Sequence, residues 1–154
     1  MFITRPQTPE PITATSTWSD RVLAAWGGQG PKAARGVTVF KRGKMVGELE
    51  MPRAATENIS QLIVFGSWIV GCGSTRIEVW KSTTFEHYTT LSSPYVSTKH
   101  VLTGGICTMP TYLNKIFAGR QDGSVEIWNV STGKLLYTIT PSSSEYGAVT
   151  ALQR

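Results

Sequence analysis

The chain has 154 residues, of which 40% are hydrophobic and 10% aromatic, which is typical of one globular domain and argues against disorder. Its 15 Lys and Arg residues outnumber its 10 Asp and Glu residues, and the formal charge of +5 suits a partner that carries phosphates. The two cysteines belong to no metal or redox motif, the N-terminus lacks the apolar core of a signal peptide, and no window approaches the ~18 apolar residues of a membrane span. We therefore expect a soluble protein of the cytoplasm or nucleus with two structural thiols, Cys72 and Cys107, and no membrane partner.

Short apolar runs that end in Gly, Ser, Thr or Pro clusters follow one another along the chain and predict β-strands. The first unit has runs at 11–18, 22–28 and 36–50. The second has runs at 59–66, 67–73 and 71–91, and the third at 102–110, 115–123 and 119–139. Residues 147–154 resemble the first strand of a fourth unit. Since no segment has a capped helical period, the sequence predicts an all-β chain of four-stranded units.

The units repeat at a spacing that is typical of propeller blades. Aligning 71–91 with 119–139 places Glu78 on Glu126 and Trp80 on Trp128, an offset of 48 residues, and Phe40 lies 40 residues before Trp80. Blades of a β-propeller are four-stranded units of ~40 to 45 residues. Both faces of these strands carry apolar side chains, as a sheet packed between two neighbours requires.

We predict a partial β-propeller of about three blades plus the first strand of the next. The predicted boundaries are an N-terminal extension at 1–10, a divergent blade at 11–50, a blade with its linker loop at 51–100, a third blade at 101–140, and a linker with the next strand at 141–154. Closed propellers have ~4 to 8 blades, so the ring needs further residues or neighbouring chains. We expect the isolated polypeptide to be insoluble or molten, because open sheet edges promote aggregation.

The third unit resembles the second half of a WD repeat. In "DGSVEIWNVSTGKLLYTI" (122–139), Asp122 and Gly123 match the tight turn before the third strand, and Trp128 matches the Trp of the WD dipeptide. Trp80 is its counterpart in the second unit, although Asn129 and Lys81 replace the Asp of the dipeptide. The resemblance implies a WD40-type propeller in which the buried His-Asp-Ser-Trp network of the family is only partial.

A narrower resemblance covers residues 110–139 and "GAVTALQ" (147–153), which are similar to the first propeller of the tandem-propeller WD subunits of the UTP-B module of the small-subunit processome. It implies a non-enzymatic nucleolar scaffold that organises other WD-repeat processome subunits and pre-rRNA or U3 snoRNA for 18S rRNA processing and assembly of the 40S subunit. Because members of that family are several times longer, we expect this chain to be an N-terminal fragment or a truncated gene product.

No catalytic constellation is evident. His87 and His100 lie in an outer strand and a loop, and the glycine-rich segment 27–36 lacks the spacing of a phosphate loop. We expect no cofactor, metal or small-molecule substrate. Two competing interpretations remain, a WD-repeat adaptor that presents peptide substrates, for example to a ubiquitin ligase, and a propeller hydrolase, for which no nucleophile or metal cluster is recognisable.

Basic residues fall on both rims of the predicted propeller, because the turns between strands alternate between its two ends. One rim is predicted to hold Lys32, Arg35, Arg53, Arg76, Lys99, His100 and Arg120. The other is predicted to hold Lys41, Arg42, Lys44, Lys81, Lys115 and Lys134. As contacts with RNA or a protein partner we predict Arg35, Lys41, Arg42, Lys44, Arg76, Lys99 and Arg120, against the alternative of a solvated surface.

Overall fold

Strands make up most of the computed structural model, which describes residues 8–30, 32–53, 55, 57–92, 102–109, 112–120 and 123–139. Within these ranges no residue is α-helical, and no helix is long and apolar enough to cross a membrane. The strands form three antiparallel sheets of four strands each, and in each sheet the spatial order follows the order in the chain. This is the all-β arrangement of four-stranded units that the sequence predicts.

The first sheet consists of β1 (Ile12–Trp18), β2 (Arg21–Gly27), β3 (Arg35–Lys41) and β4 (Lys44–Glu48). The second consists of β5 (Gln61–Phe65), β6 (Trp68–Cys72), β7 (Arg76–Lys81) and β8 (His87–Ser92). The third consists of β9 (Leu102–Met109), β10 (Tyr112–Arg120), β11 (Val125–Asn129) and β12 (Lys134–Ile139). The strand expected at 147–154 lies outside the described residues, and the blade boundaries drawn from the sequence stay a prediction.

The second sheet is buried on both faces because its apolar side chains alternate between two cores. Ile77 and Val79 of β7 belong to one core, together with Ile116 and Trp128 of the third sheet. Trp80 belongs to the other core. That core also contains Leu23, Ala25, Val37 and Val39 of the first sheet. The second sheet is therefore the middle layer of three stacked sheets, as a blade between two neighbours must be.

Successive antiparallel strands put the connections alternately at two ends of each sheet, and these ends define two rims. We call the end with the β1–β2, β3–β4, β5–β6, β7–β8 and β11–β12 turns the hairpin rim. The linker rim is the end with the β2–β3, β6–β7 and β10–β11 turns and the linker from Leu49 to Ser60. Two contacts between sheets join turns of the same rim: Tyr88 Oη donates to Ser131 O at 2.6 Å, and Asn58 Nδ2 donates to Gly28 O at 2.9 Å. The start of the linker instead lies against the β7–β8 turn, where Glu50 N donates to Phe85 O at 2.9 Å.

Candidate functional site

The two tryptophans of the WD motif are packing residues between sheets. Trp80 has no exposed surface, and its Nε1 donates to the carbonyl of Glu50 at 2.7 Å, which ties the second sheet to the linker. Trp128 is 3% exposed, and its Nε1 donates to Glu126 Oε1 at 3.3 Å. Each ring is therefore buried, and each indole N–H has an acceptor. Neither ring is available to stack on a ligand.

The β10–β11 turn has the backbone that the sequence requires at Gly123. Gly123 adopts a φ of 87°, a conformation that L side chains rarely take, and its amide donates to Arg120 O at 3.2 Å. Arg120 N in turn donates to Ser124 O at 2.9 Å, which closes the turn from the other side. Asp122 lies outside the described residues.

In the second sheet, the carboxylate that holds the corresponding turn comes from the linker and was missed in the sequence. Glu57 Oε1 accepts from the amides of Thr75 at 3.0 Å and Arg76 at 2.9 Å. Its Oε2 accepts from the hydroxyls of Ser74 at 3.0 Å and Thr75 at 2.9 Å. Partial burial alone would raise the pKa of Glu57, but these four hydrogen bonds outweigh it and hold the pKa below 4.5.

The next linker residue, Asn58, does the same for the first sheet. Its Oδ1 accepts from Arg35 Nε at 3.1 Å, and its Nδ2 donates to Gly28 O at 2.9 Å. Arg35 also donates to the carbonyls of Ala55 at 3.0 Å and Gly30 at 2.5 Å. Two adjacent linker residues therefore hold the turns of two sheets. The guanidinium of Arg35, which was predicted to contact a partner, is hydrogen-bonded within the protein instead. No local sequence signal predicts pairs so far apart.

Arg120 requires a correction, because it is not a rim residue. Its side chain is 1% exposed and pairs with Glu126, with Nε and Nη2 at 2.8 and 2.5 Å from Glu126 Oε1. The prediction that Arg120 contacts RNA or a partner was wrong, because the hairpin register puts Arg120 and Glu126 on the face that packs against the second sheet. A buried cation needs a partner within the protein and cannot serve an external phosphate.

The carboxylate of Glu126 has a counterpart at Glu78, one repeat earlier. Glu78 is 8% exposed, and it accepts from Thr90 Oγ1 at 2.7 Å and lies 2.8 Å from His87 Nε2. The central strand of each of these sheets thus carries a buried carboxylate two residues before its Trp, satisfied by different partners in the two sheets. Of these two carboxylates, Glu126 also accepts from the indole of its own Trp, Trp128.

The hairpin rim presents five of the seven exposed Lys and Arg side chains among the described residues. Lys41, Arg42 and Lys44 surround the β3–β4 turn, where Arg42 and Gly43 have φ values of 53° and 80°. Positive φ at both central residues is the conformation that matches a two-residue hairpin to strand twist. Lys41 Nζ lies 3.5 Å from Asp20 Oδ2. Of the predicted contacts on the other rim, Arg76 is half-buried beside Glu57, and Lys99 lies outside the described residues.

The family model of the WDR36/Utp21 first beta-propeller matches residues 1–154. The chain belongs to this family. Its fold is therefore that of a WD40-type propeller, and the fold class and the family resemblance predicted from the sequence are confirmed.

Two relatives and one solved structure illustrate the match. The U3 small nucleolar RNA-associated protein 21 homolog of Schizosaccharomyces pombe is 27% identical over 132 residues, which are 85% of this chain and 14% of that protein. WD repeat-containing protein 36 of Homo sapiens is 61% identical over 28 residues, 18% of this chain and 3% of that protein. The crystal structure of RRP9 WD40 repeats superposes with a TM-score of 0.69 at 13% identity, over 93% of this chain and 42% of that one, and supports the fold alone.

Two kinds of chemical site, a metal site and a reactive thiol, can be assessed on the described side chains of this WDR36/Utp21 propeller chain. They contain no group of three or more His, Cys, Asp or Glu residues that could hold a metal ion. Burial raises the pKa of the Cys72 thiol to about 11, although the Ser60 hydrogen bond and the Arg120 charge act in the opposite direction. Cys72 is therefore a protonated, buried thiol, the inert kind rather than the nucleophilic kind.

Proposed function

We propose that this chain is part of a non-enzymatic scaffold subunit of the small-subunit processome. In this role it organises other WD-repeat subunits and pre-rRNA or U3 snoRNA in the nucleolus for 18S rRNA processing and 40S assembly. The observation that carries the proposal is the WDR36/Utp21 propeller match over residues 1–154. The relative from S. pombe, which is named for its association with U3 small nucleolar RNA, supports it, although the chain spans about one-seventh of that protein.

The packing supports a scaffold because it fixes the loops rather than a reaction centre. Glu57 and Asn58 tie the linker to turns of two sheets, and Tyr88 and Trp68 tie the second sheet to the third, through Ser131 O at 2.6 Å and Asn114 Oδ1 at 3.4 Å. Turns held in this way are preorganised, which lowers the entropic cost of binding a partner. A rigid multi-loop surface suits a protein that holds several partners at once.

Depletion of the full-length protein that carries this chain tests the proposal. We expect precursors of 18S rRNA to accumulate while large-subunit rRNA matures normally, and the affinity-tagged protein to recover U3 snoRNA. Normal 18S maturation would refute the proposal. Recovery of ubiquitin-ligase subunits without U3 snoRNA would support the adaptor interpretation instead.

A further inference from the structure

Charged side chains are used differently on the two rims. On the linker rim, Arg35 is bound by Asn58 and two backbone carbonyls. Arg120, at the end of β10, is buried against Glu126 between the sheets and does not reach this rim. On the hairpin rim, the cations are on the surface. Lys41, Arg42, Lys44, Lys81 and Lys134 are all exposed. Lys32 and Arg53 are also exposed on the linker rim, so the two rims differ in number: among the described residues, five exposed cations lie on the hairpin rim and two on the linker rim.

Few acids oppose these cations. The described hairpin turns contain Asp20, which lies beside Lys41, and the exposed Glu86. Glu50 is also exposed, and its Oε1 accepts from the amide of His87 at 3.2 Å, beside the β7–β8 turn. Five exposed cations around three acids leave a net positive charge over this end of the stack, and a field of this kind attracts polyanions. The β3–β4 turn has a defined backbone, with positive φ at both Arg42 and Gly43, which places the Cα atoms of Arg42 and Lys44 on either side of a tight hairpin.

Aromatic rings lie among the cations of the same rim. The ring centroids of Trp68 and Tyr88 are 4.7 Å apart, Lys81 Nζ lies 5.9 Å from the centroid of Tyr88, and Tyr88 is 40% exposed. In the first sheet, Arg21 Cζ lies over the ring of Trp18, 4.8 Å from its centroid. Cations that follow a phosphate backbone, combined with aromatic rings on which bases stack, are the pattern of single-stranded nucleic-acid binding. An acidic peptide would use the cations but would gain little from the rings.

We propose that the hairpin rim binds single-stranded RNA, with its phosphates on Arg42, Lys44 and Lys81 and a base stacked on the exposed part of Tyr88. This inference rests on the proposed function, since it locates the RNA contact of that scaffold. It assigns Arg35, on the opposite rim, to holding the linker.

Salt-dependent binding of the full-length protein to a single-stranded oligouridine of about 16 nucleotides tests the phosphate contacts. The double variant Arg42→Asn and Lys44→Gln removes two charges, and Asn tolerates the positive φ at position 42. Each phosphate contact on a single strand contributes about 0.7 to the slope of log K against log salt, so the slope should fall by about 1.4 and the affinity by about 25-fold at about 0.1 M salt. The matched control, Lys32→Gln with Arg53→Gln, removes one Lys and one Arg from exposed positions of the linker rim and should leave both unchanged.

Stacking is tested separately at Tyr88. Tyr88→Leu removes the ring and should weaken oligouridine binding at least about fivefold with no change in salt slope. Tyr88→Phe keeps the ring but loses the hydrogen bond to Ser131 O, so its binding should fall by less than that of Tyr88→Leu. Tryptophan fluorescence checks that the fold around Trp68 is intact in both. Equal losses in the two Arg/Lys double variants, or equal binding of Tyr88→Leu and the parent protein, would overturn the inference.

The experiments distinguish failure of this inference from failure of the proposed function. If the variant with Arg42→Asn and Lys44→Gln keeps its salt slope while the protein still recovers U3 snoRNA, the rim assignment fails and the scaffold stands. If its slope falls but depletion leaves 18S rRNA normal, the rim binds RNA and the processome role fails. If that variant loses an acidic protein from the purified assembly and keeps its RNA affinity, the rim is a protein-binding surface and the inference is refuted.

Discussion

Replacing Arg120 with Met should destabilise the third sheet by an amount that the structure sets. The Arg120 Nε to Glu126 Oε1 distance is 2.8 Å, at which two unit charges attract by about 6 kcal/mol at an effective dielectric constant of about 20. Burying both ions costs several kcal/mol each, so the intact pair contributes little net stability. Without Arg120, the buried carboxylate loses its compensation, and we expect the free energy of unfolding to fall by about 3–5 kcal/mol.

A second substitution separates this charge effect from loss of packing. Adding Glu126→Gln to Arg120→Met removes the carboxylate charge that has lost its Arg120 partner, and it keeps an oxygen that accepts from Trp128 Nε1. The double variant should therefore regain about 2 kcal/mol of the lost free energy of unfolding. Adding Glu126→Leu instead leaves the indole N–H without its acceptor and should be worse than the Gln version by about 1–3 kcal/mol.

Proteolysis in increasing urea, read by mass spectrometry at peptides within residues 112–139, measures these differences in the full-length protein without assuming that all its domains unfold together. The reasoning is refuted if Arg120→Met lowers the free energy of unfolding by less than about 1 kcal/mol, because removing one partner of a buried ion pair is strongly destabilising. It is also refuted if Glu126→Gln gives no recovery.

Three further perturbations test other parts of the site. Because folding lowers the pKa of Glu57 below 4.5, its contribution to the free energy of unfolding is present at neutral pH and is lost as the pH falls through the folded-state pKa. Glu57→Gln should lower the free energy of unfolding by about 1 kcal/mol at neutral pH and make that free energy depend less on pH in acid. Cys72, with its pKa raised to about 11, should resist alkylation by iodoacetamide at about pH 8 until the protein unfolds. His87→Leu removes a partner of Glu78 and should cost about 1–3 kcal/mol by urea-dependent proteolysis, whereas His87→Gln keeps a donor and should cost less.

Each of these three has its own contradicting result. An unchanged acid profile in Glu57→Gln would mean that the carboxylate does not hold the Ser74–Arg76 turn. Rapid labelling of the peptide that contains Cys72 under native conditions would mean that the thiol is accessible. Equal stability of the Leu and Gln variants at position 87 would mean that the contact with Glu78 carries no energy.

The sequence predicts the stacking of the sheets because alternation is a local property. In β7, Ile77 and Val79 point to one face and Trp80 to the other, and the structure places them in two different cores. The 48-residue repeat extends this to Trp128 without any knowledge of the contacts. Periodicity and spacing therefore suffice for the fold class and for which residues pack between blades.

The partners of the charged side chains could not be predicted in the same way. Arg120 and Glu126 lie on one face of a hairpin, so the β10–β11 register, which pairs Ala118 with Glu126, would have suggested the ion pair once the strand ends were known. Glu57 and Asn58 gave no such clue, because their partners are set by how the linker crosses two sheets. Which cations stay exposed depends on these distant pairings, and the choice between the rims emerges only from the structure.

A cryo-electron microscopy map of the assembled protein that contains this chain tests the central claim most directly. The account predicts that β5–β8 lie between β1–β4 and β9–β12 in a circular array, with Trp80 and Trp128 buried at successive sheet interfaces and RNA density, where present, over the hairpin rim. A map in which the second sheet has a solvent-facing side, or in which the three sheets do not stack in chain order, would contradict it.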